Sequence, residues 1–249
     1  MTRNDARLSS LYELVAQPKR AFLSIEFPCT TNLAKEFVSL ALSMMILCCL
    51  AWAADAQKQL AAATQVVQTM ASSNQVPSSL LKKARCIAVI PKLTKAGFII
   101  GGEHGNGIVS CRTSSGWSAP AFISMSGGSV GLQAGGEHQD ILLLMNSKGE
   151  QELKNGHWEL GGEAVAAGPS GGTGTEADTG WKAPVLSYSH SRGAFAGADV
   201  GGSKIGADLD TIHKLYGQSA TFQAVLSGEV RPPDSAKQFL MELDKAAGR

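Results

Sequence analysis

The serine at position 129 stands in a Gly-x-Ser-x-Gly pattern, the arrangement that exposes a nucleophilic serine in many hydrolases. That chemistry requires a sharp turn from a strand into a helix, so that the hydroxyl projects above a sheet. Residues 127–131 are instead followed by another glycine-rich apolar stretch with the spacing of a strand. We therefore expect a strand at Ser129, and the sequence predicts no catalytic residue and no enzymatic activity.

Two copies of a Gly-Gly-Glu-His sequence, at residues 101–104 and 135–138, contain side chains that often bind metals. Neighbouring residues of a strand point to opposite faces of the sheet, so each copy offers only one ligand to a given side. A repeated glycine bend at the end of a strand explains the match more simply. The sequence therefore predicts no metal site.

The glycine-rich segment 168–174 shares only its composition with a phosphate-binding loop, because it lacks the Gly-Lys-Ser/Thr ending. No Gly-x-Gly-x-x-Gly sequence opens a helix in a βαβ unit anywhere in the chain. Residues 168–183 are instead predicted to form an exposed loop. No cofactor is expected.

The strongest charge feature is a group of cations with no acidic residue between Asp55 and Glu103. Its members are Lys82, Lys83, Arg85, Lys92 and Lys95. Beside an amphipathic helix, such a group attracts an anionic membrane, and each cation near the surface contributes about 1 kcal/mol. An ordinary solvated face is the alternative interpretation. These five residues are the candidate lipid-binding site.

The chain changes character after an uncharged apolar run at residues 37–54, whose small-x-small pattern at 51–53 fits a signal-peptidase site. We expect residues 1–53 to be an N-terminal extension plus signal peptide or membrane anchor, and residues 54–249 to be the folded domain. Cleavage, retention as an inner-membrane anchor and lipidation of a cysteine in the run are the alternatives. The expected location is the periplasm or the outside of the cell.

The folded domain is electroneutral. The first 54 residues contain five of the 22 Lys and Arg residues and four of the 21 Asp and Glu residues, which leaves equal numbers of each. Net charge therefore gives no attraction to polyanions, and nucleic acid is not an expected partner. Any attraction to phosphate groups must come from local clustering of cations.

Two cysteines, Cys86 and Cys111, follow the leader, and both lie in predicted strands. Because an exported protein meets an oxidising compartment, a disulfide between them is one prediction. A pair of buried free thiols is the alternative. No Cys-x-x-Cys pair indicates zinc binding or redox catalysis.

Glycine interrupts the apolar runs of the central part of the chain, which indicates bends, bulges or close backbone approach within strands. Strands are predicted at residues 86–90, 97–103, 107–112, 121–125, 130–136, 141–145, 158–167, 185–190 and 194–205. Helices are predicted at residues 54–71, 77–84, 147–155, 208–216 and 220–226, with a last one capped by Asp234 or Ser235. The fold class is α+β: a curved, largely antiparallel sheet or barrel-like core with N-terminal and C-terminal helices.

Seven blocks follow one another through the folded domain, at residues 87–91, 95–102, 116–122, 128–135, 140–145, 167–169 and 188–197. In sequence and order they closely resemble the SYLF domain. The resemblance implies a phospholipid-binding module without catalytic activity, whose eukaryotic relatives bind phosphoinositides and actin. It also implies membrane contact through a basic amphipathic N-terminal helix, matched here by residues 54–85.

We therefore expect a non-catalytic phospholipid-binding module of the bacterial envelope, which contacts anionic head groups through the N-terminal helical segment and the five cations. Trp117 and Trp181 are candidates for additional interfacial contacts, with core packing as the alternative for Trp117. A structural or protein-interacting component of the envelope without lipid specificity is the alternative function. Actin is not an expected partner of an exported bacterial protein.

Overall fold

The computed structural model describes most of the predicted folded domain, between residues 55 and 248. The described ranges are residues 55–73, 76–97, 100–130, 137–160, 165–167, 181–191, 194–197 and 202–248. The predicted leader, most of the predicted strand at 130–136 and most of the glycine-rich loop lie outside them. Those predictions therefore stay predictions.

Two helices precede the sheet, as the spacing of apolar residues predicts. Residues 55–72 form α1, in which Leu60, Val67 and Met70 lie on one face and are buried. Helix α2, Ser78–Lys83, follows Pro77, whose fixed backbone angle suits the start of a helix. Its apolar residues Leu80 and Leu81 are buried as well. Each helix is thus held by one apolar face that packs against the core.

The sheet contains ten described strands. They are β1 (Cys86–Gly97), β2 (Ile100–Thr113), β3 (Gly116–Trp117), β4 (Ala121–Val130), β5 (Glu137–Met145), β6 (His157–Glu159), β7 (Val165–Ala167), β8 (Val185–Ser191), β9 (Ala194–Gly197) and β10 (Lys204–Ala207). The order across the sheet is β6-β10-β4-β2-β1-β5-β8-β7, with β3 beside β2 and β9 beside β8. Of the described pairings, only β7 with β8 is parallel. The predicted α+β class with a curled, largely antiparallel sheet is confirmed.

The predicted break between residues 103 and 107 was wrong, because β2 runs through it without interruption. Glycine in this stretch serves close packing instead. A Cβ atom at Gly105 would lie 2.7 Å from Ile90 Cγ2, and one at Gly107 would lie 2.6 Å from the carbonyl oxygen of Val89. These glycines let β2 approach β1 where the side chains of β1 are large.

Strand β1 is also longer than predicted, and an irregularity divides it. Its register against β2 shifts between Val89 and Thr94. Within this bulge Lys92 has a φ of 56°, and its backbone N–H donates to Asp140 Oδ1 over 3.0 Å. A bulge increases the local twist of a strand, which is consistent with a sheet that curls.

The remaining helices are α3 (Ser147–Lys154), α4 (Leu209–Tyr216), α5 (Phe222–Ser227) and α6 (Lys237–Ala246), with a 3₁₀ turn at Asp234–Ala236. Side chains of Asn146, Asp208 and Thr221 cap the first three. The predicted cap of the last helix by Asp234 or Ser235 was wrong. Both residues lie in the 3₁₀ turn, no side chain caps α6, and Asp234 pairs with Lys237 at 2.8 Å.

The two ends of the central strands differ in burial. At the start of β1, four consecutive residues from Ile87 to Ile90 are fully buried, so both faces of the strand are covered there. At the other end, in the first part of β2, burial alternates: Glu103 and Gly105 are buried, whereas His104 and Asn106 are exposed. The core therefore lies at the end of the sheet where β1 begins, and the helices pack around that end.

Close approach at Gly107 provides a test of the fold. We expect Gly107→Ala to lower the free energy of unfolding by about 1–3 kcal/mol, because the added methyl group collides with the backbone of β1. Gly128→Ala, on the neighbouring β4, is the matched control because nothing lies within 4 Å of its added Cβ. Urea denaturation followed by circular dichroism measures both. Equal stability of the two variants would contradict the described register.

Candidate functional site

Two lysines are exposed at the end of α2. Lys82 and Lys83 occupy its last turn, while Leu80 and Leu81 bury the opposite face of the helix. The carboxyl end of a helix carries partial negative charge, which favours cations in its last turn. Burial of the leucines thus directs the lysines towards solvent.

An arginine from the sheet fixes the position of this helix end. Arg112 of β2 donates from Nε to the carbonyl oxygen of Ala84 over 3.0 Å, and its Nη2 lies 3.4 Å from the carbonyl oxygen of Lys82. Its guanidinium group also stacks on the ring of Trp117, 4.4 Å from the centroid. Sequence analysis missed Arg112, because its partners lie 28 and 30 residues away and belong to the backbone.

Helix α6 brings a further cation to the same place. Lys245 lies in its last turn with a side chain that is 79% exposed, 3.9 Å from Glu242. The aliphatic chain of Lys82 packs against Gly248, just beyond the end of this helix. We call the group formed by Lys82, Lys83, Arg85, Arg112 and Lys245 the basic corner. Its last member is far from the others in sequence and was not predicted.

Arg85 takes part in a network with α3. Its Nε donates to Glu150 Oε2 over 2.9 Å, and Lys154 Nζ donates to Glu150 Oε1 over 2.9 Å. Burial raises the pKa of Glu150, but hydrogen bonds and positive charge from Lys154 and Arg85 outweigh it, so the net pKa is lowered. The Arg85 side chain is still 44% exposed. Arg85 is thus a partly neutralised member of the basic corner.

Cys86 and Cys111 lie beneath this corner. Cys86 and Cys111 are directly opposite each other on β1 and β2, and they form a disulfide with an S–S distance of 2.03 Å. Both residues are fully buried. The bond connects the strand that follows Arg85 to the strand that carries Arg112.

Lys92 and Lys95 lie away from the basic corner. They occupy the far part of β1, and ten residues of extended chain place Lys95 roughly 30 Å from Arg85. Lys95 Nζ pairs with Glu103 Oε2 at 3.3 Å, and Ser203 Oγ donates to the same carboxylate. The prediction that five cations form one surface is therefore corrected: Lys95 is engaged in a mostly buried ion pair, and only the first three belong to the basic corner.

The apolar face of α1 is not available to a membrane. Leu60, Ala63, Val67 and Met70 form part of the hydrophobic core, and each is at most 3% exposed. Contact of this face with a bilayer would require the helix to leave the core. Helical spacing alone does not separate a core-facing helix from a membrane-facing one, because both bury the same stripe of residues.

The other predicted motifs lie within strands. Ser129 is part of β4 and pairs with Gly101, so it does not stand at a turn into a helix. His104 and His138 both lie opposite Thr94, and His138 Nδ1 is 3.0 Å from Thr94 Oγ1. Within the described part of the chain, no three metal-binding side chains come together.

A groove lies beside the basic corner, between the end of α1, α2 and the end of α6. Its volume is about 760 Å³. Apolar lining comes from Ala71, Val76, Pro77, Leu81 and Ala246. Polar lining comes from Gln68, Thr69, Ser72, Ser78, Ser79, Glu242 and Lys245. We call this feature the interhelical groove.

The curled α+β domain with a basic corner is similar to known proteins. The family model described as Ysc84, Las17-binding protein actin regulator, matches residues 126–246. LAS seventeen-binding protein 3 of Saccharomyces cerevisiae is 35% identical over 199 residues, which cover 77% of this chain and 43% of the yeast protein. The SH3 domain-containing YSC84-like protein 1 of Xenopus laevis is 35% identical over 176 residues, or 68% of this chain and 52% of that protein.

The chain belongs to the Ysc84 family, whose domain is the SYLF domain. It spans about two fifths to three fifths of the length of the relatives that it matches. No solved structure matches it. Within the residues that the structure describes, no helix combines the length and the apolar character needed to cross a membrane.

The Glu150 network gives a prediction of pH dependence. Because the folded pKa of Glu150 is lowered from its ordinary value of 4.5, its contribution to stability is present above that unfolded pKa and is lost as the pH falls through the folded value. Glu150→Gln should therefore lower the free energy of unfolding by about 1–2 kcal/mol at pH 7 and flatten its decline below pH 4.5. Urea denaturation between pH 3 and 7 measures this effect.

Glu152→Gln is the matched control, since Glu152 is exposed on the same helix. Its effect should stay within about 0.5 kcal/mol. If both variants lost the same stability, or if Glu150→Gln kept the full acid dependence, the ion-pair network would not contribute as described.

Proposed function

We propose that the chain is a non-catalytic phospholipid-binding module of the bacterial envelope, which contacts anionic head groups through the basic corner. Lys82, Lys83 and Lys245 are the exposed contacts, and Arg85 and Arg112 hold the underlying helix end and strands in place. The observation that carries the proposal is the convergence of cations from α2 and α6 on one corner of a domain whose net charge is zero. Such a corner attracts a negatively charged surface without a net positive charge on the protein.

The proposal differs from the sequence-based expectation in its contact residues. Lys92 and Lys95 are left out because they lie at the other end of β1, and the apolar face of α1 is left out because it is part of the core. The exported location is also part of the proposal. It rests on the uncharged run at residues 37–54 and on the fully buried disulfide, which suits an oxidising compartment.

A charge-matched pair of variants tests lipid binding. The first combines Lys82→Ser, Lys83→Ser and Lys245→Ser, and the second combines Lys58→Ser, Lys92→Asn and Lys204→Ser. Because each surface cation contributes about 1 kcal/mol, the first variant should bind vesicles of phosphatidylglycerol and phosphatidylcholine at least tenfold more weakly than the wild type. Flotation of the purified chain with vesicles at two salt concentrations measures the affinity.

The second variant removes the same charge from exposed lysines outside the basic corner, and it should bind within about twofold of the wild type. Asparagine is used at position 92 because it tolerates the positive φ found there. The leader is common to all chains, so any difference reports on the lysines. Equal loss in both variants, or equal binding to pure phosphatidylcholine, would contradict the proposal.

A protein partner is the second candidate function. One yeast relative is named LAS seventeen-binding protein 3, and the family description reads Las17-binding protein actin regulator, so the names of relatives indicate protein recognition. For this chain the corresponding proposal is an envelope protein that binds without lipid. Affinity purification from detergent-treated membranes should then recover one protein in constant stoichiometry, and recovery should survive the triple substitution in the basic corner. Loss of recovery after lipid removal would contradict it.

A further inference from the structure

The interhelical groove has a size and a lining suited to one small amphiphilic molecule. Its volume of about 760 Å³ lies within the range of about 300–1,000 Å³ that is typical of ligand sites. Three separate helices form its walls, so their packing against the core maintains its shape. A bilayer contact through the lysines alone requires no such depression.

The lining is divided by chemistry. Of the apolar residues, Ala71 and Ala246 are half-buried and offer hydrocarbon contact, whereas the hydroxyl groups of Thr69, Ser78 and Ser79 offer neutral hydrogen bonds. The hydroxyl group of Ser72 donates to the carbonyl oxygen of Thr69 over 3.2 Å. Neutral hydroxyl groups can donate to phosphate and ester oxygens. An occupant that satisfies both parts must contain an apolar portion and several oxygen acceptors.

The charged residues at the groove indicate which charge its occupant must carry. Lys245 lines the groove, and Lys82 packs against Gly248 immediately beside it. Glu242 also lines the groove, but its side chain is mostly covered and lies 3.9 Å from Lys245 Nζ. The more exposed charge at this end of the groove is therefore positive, which favours a phosphate group.

We infer that the interhelical groove holds a single phospholipid molecule, with its phosphate against Lys82 and Lys245 and its glycerol and upper acyl portion along Ala71 and Ala246. This inference rests on the proposed function, because it assigns to the same corner a saturable site for one lipid in addition to contact with a charged surface. The groove then gives the domain a lipid ligand even away from a bilayer.

Calorimetric titration with monomeric dihexanoylphosphatidylglycerol, below its micelle concentration, tests the site. The wild-type chain should bind one molecule saturably. Ser72→Trp, which fills the groove from the exposed end of α1, should weaken this binding at least tenfold, as should Ala246→Phe from α6. Ala61→Trp is the matched control on the exposed face of α1, outside the groove, and should bind like the wild type. Thermal unfolding verifies that each variant is folded.

Titration with glycerol 3-phosphate distinguishes recognition of the whole lipid from recognition of its phosphate group alone. Glycerol 3-phosphate should bind at least tenfold more weakly than the lipid because it lacks the apolar portion. Absence of saturable binding to the wild type, unchanged binding by Ser72→Trp, or equal affinity for glycerol 3-phosphate would overturn the inference. Vesicle flotation distinguishes the two proposals. If the wild-type chain floats with anionic vesicles but does not bind the monomeric lipid, the inference about the groove is refuted and the proposed function is not. If the wild-type chain does not float with anionic vesicles, the proposed function is refuted.

Discussion

Antiparallel pairing of β1 with β2 is the constraint on which the rest of the structure depends. The disulfide between Cys86 and Cys111 closes one end of this pair, and Gly105 and Gly107 permit close approach farther along. All other described strands are added outwards, because β1 pairs next with β5 and β2 pairs next with β4. The position of helix α2 also depends on this pair of strands, since Arg112 of β2 binds a carbonyl group at the end of the helix.

The same pair of strands explains why the cations form two groups. At the disulfide end both faces of β1 are covered, so charged residues there must lie before the strand, in α2 and its exit. At the other end one face carries Lys95 and Glu103, which are mostly buried and neutralise each other. The cations are close together in sequence, but in the fold most of the length of β1 separates Lys82, Lys83 and Arg85 from Lys92 and Lys95.

Local features of the fold could be predicted from the sequence because their causes are local. Pro77, Asp208 and Thr221 mark helix starts, and apolar spacing marks the helices that follow. The basic corner could be predicted only in part. Arg85 meets Glu150 across 65 residues, and Lys245 reaches the corner only because α6 packs beside α2. Such pairings depend on tertiary packing, and one sequence contains no local pattern for them.

Helix α1 shows a different reason for error. Its apolar stripe has the spacing of a membrane-binding helix, yet that spacing reports only that one face is buried, and the hydrophobic core supplies the burial here. The proposed membrane contact must then depend on groups that folding leaves exposed. The ends of α2 and α6 meet this condition: Lys82, Lys83 and Lys245 are exposed there, and the end of a helix favours positive charge. Under the proposed function, this exposed positive charge is the part of the folded domain that remains accessible to phosphate groups.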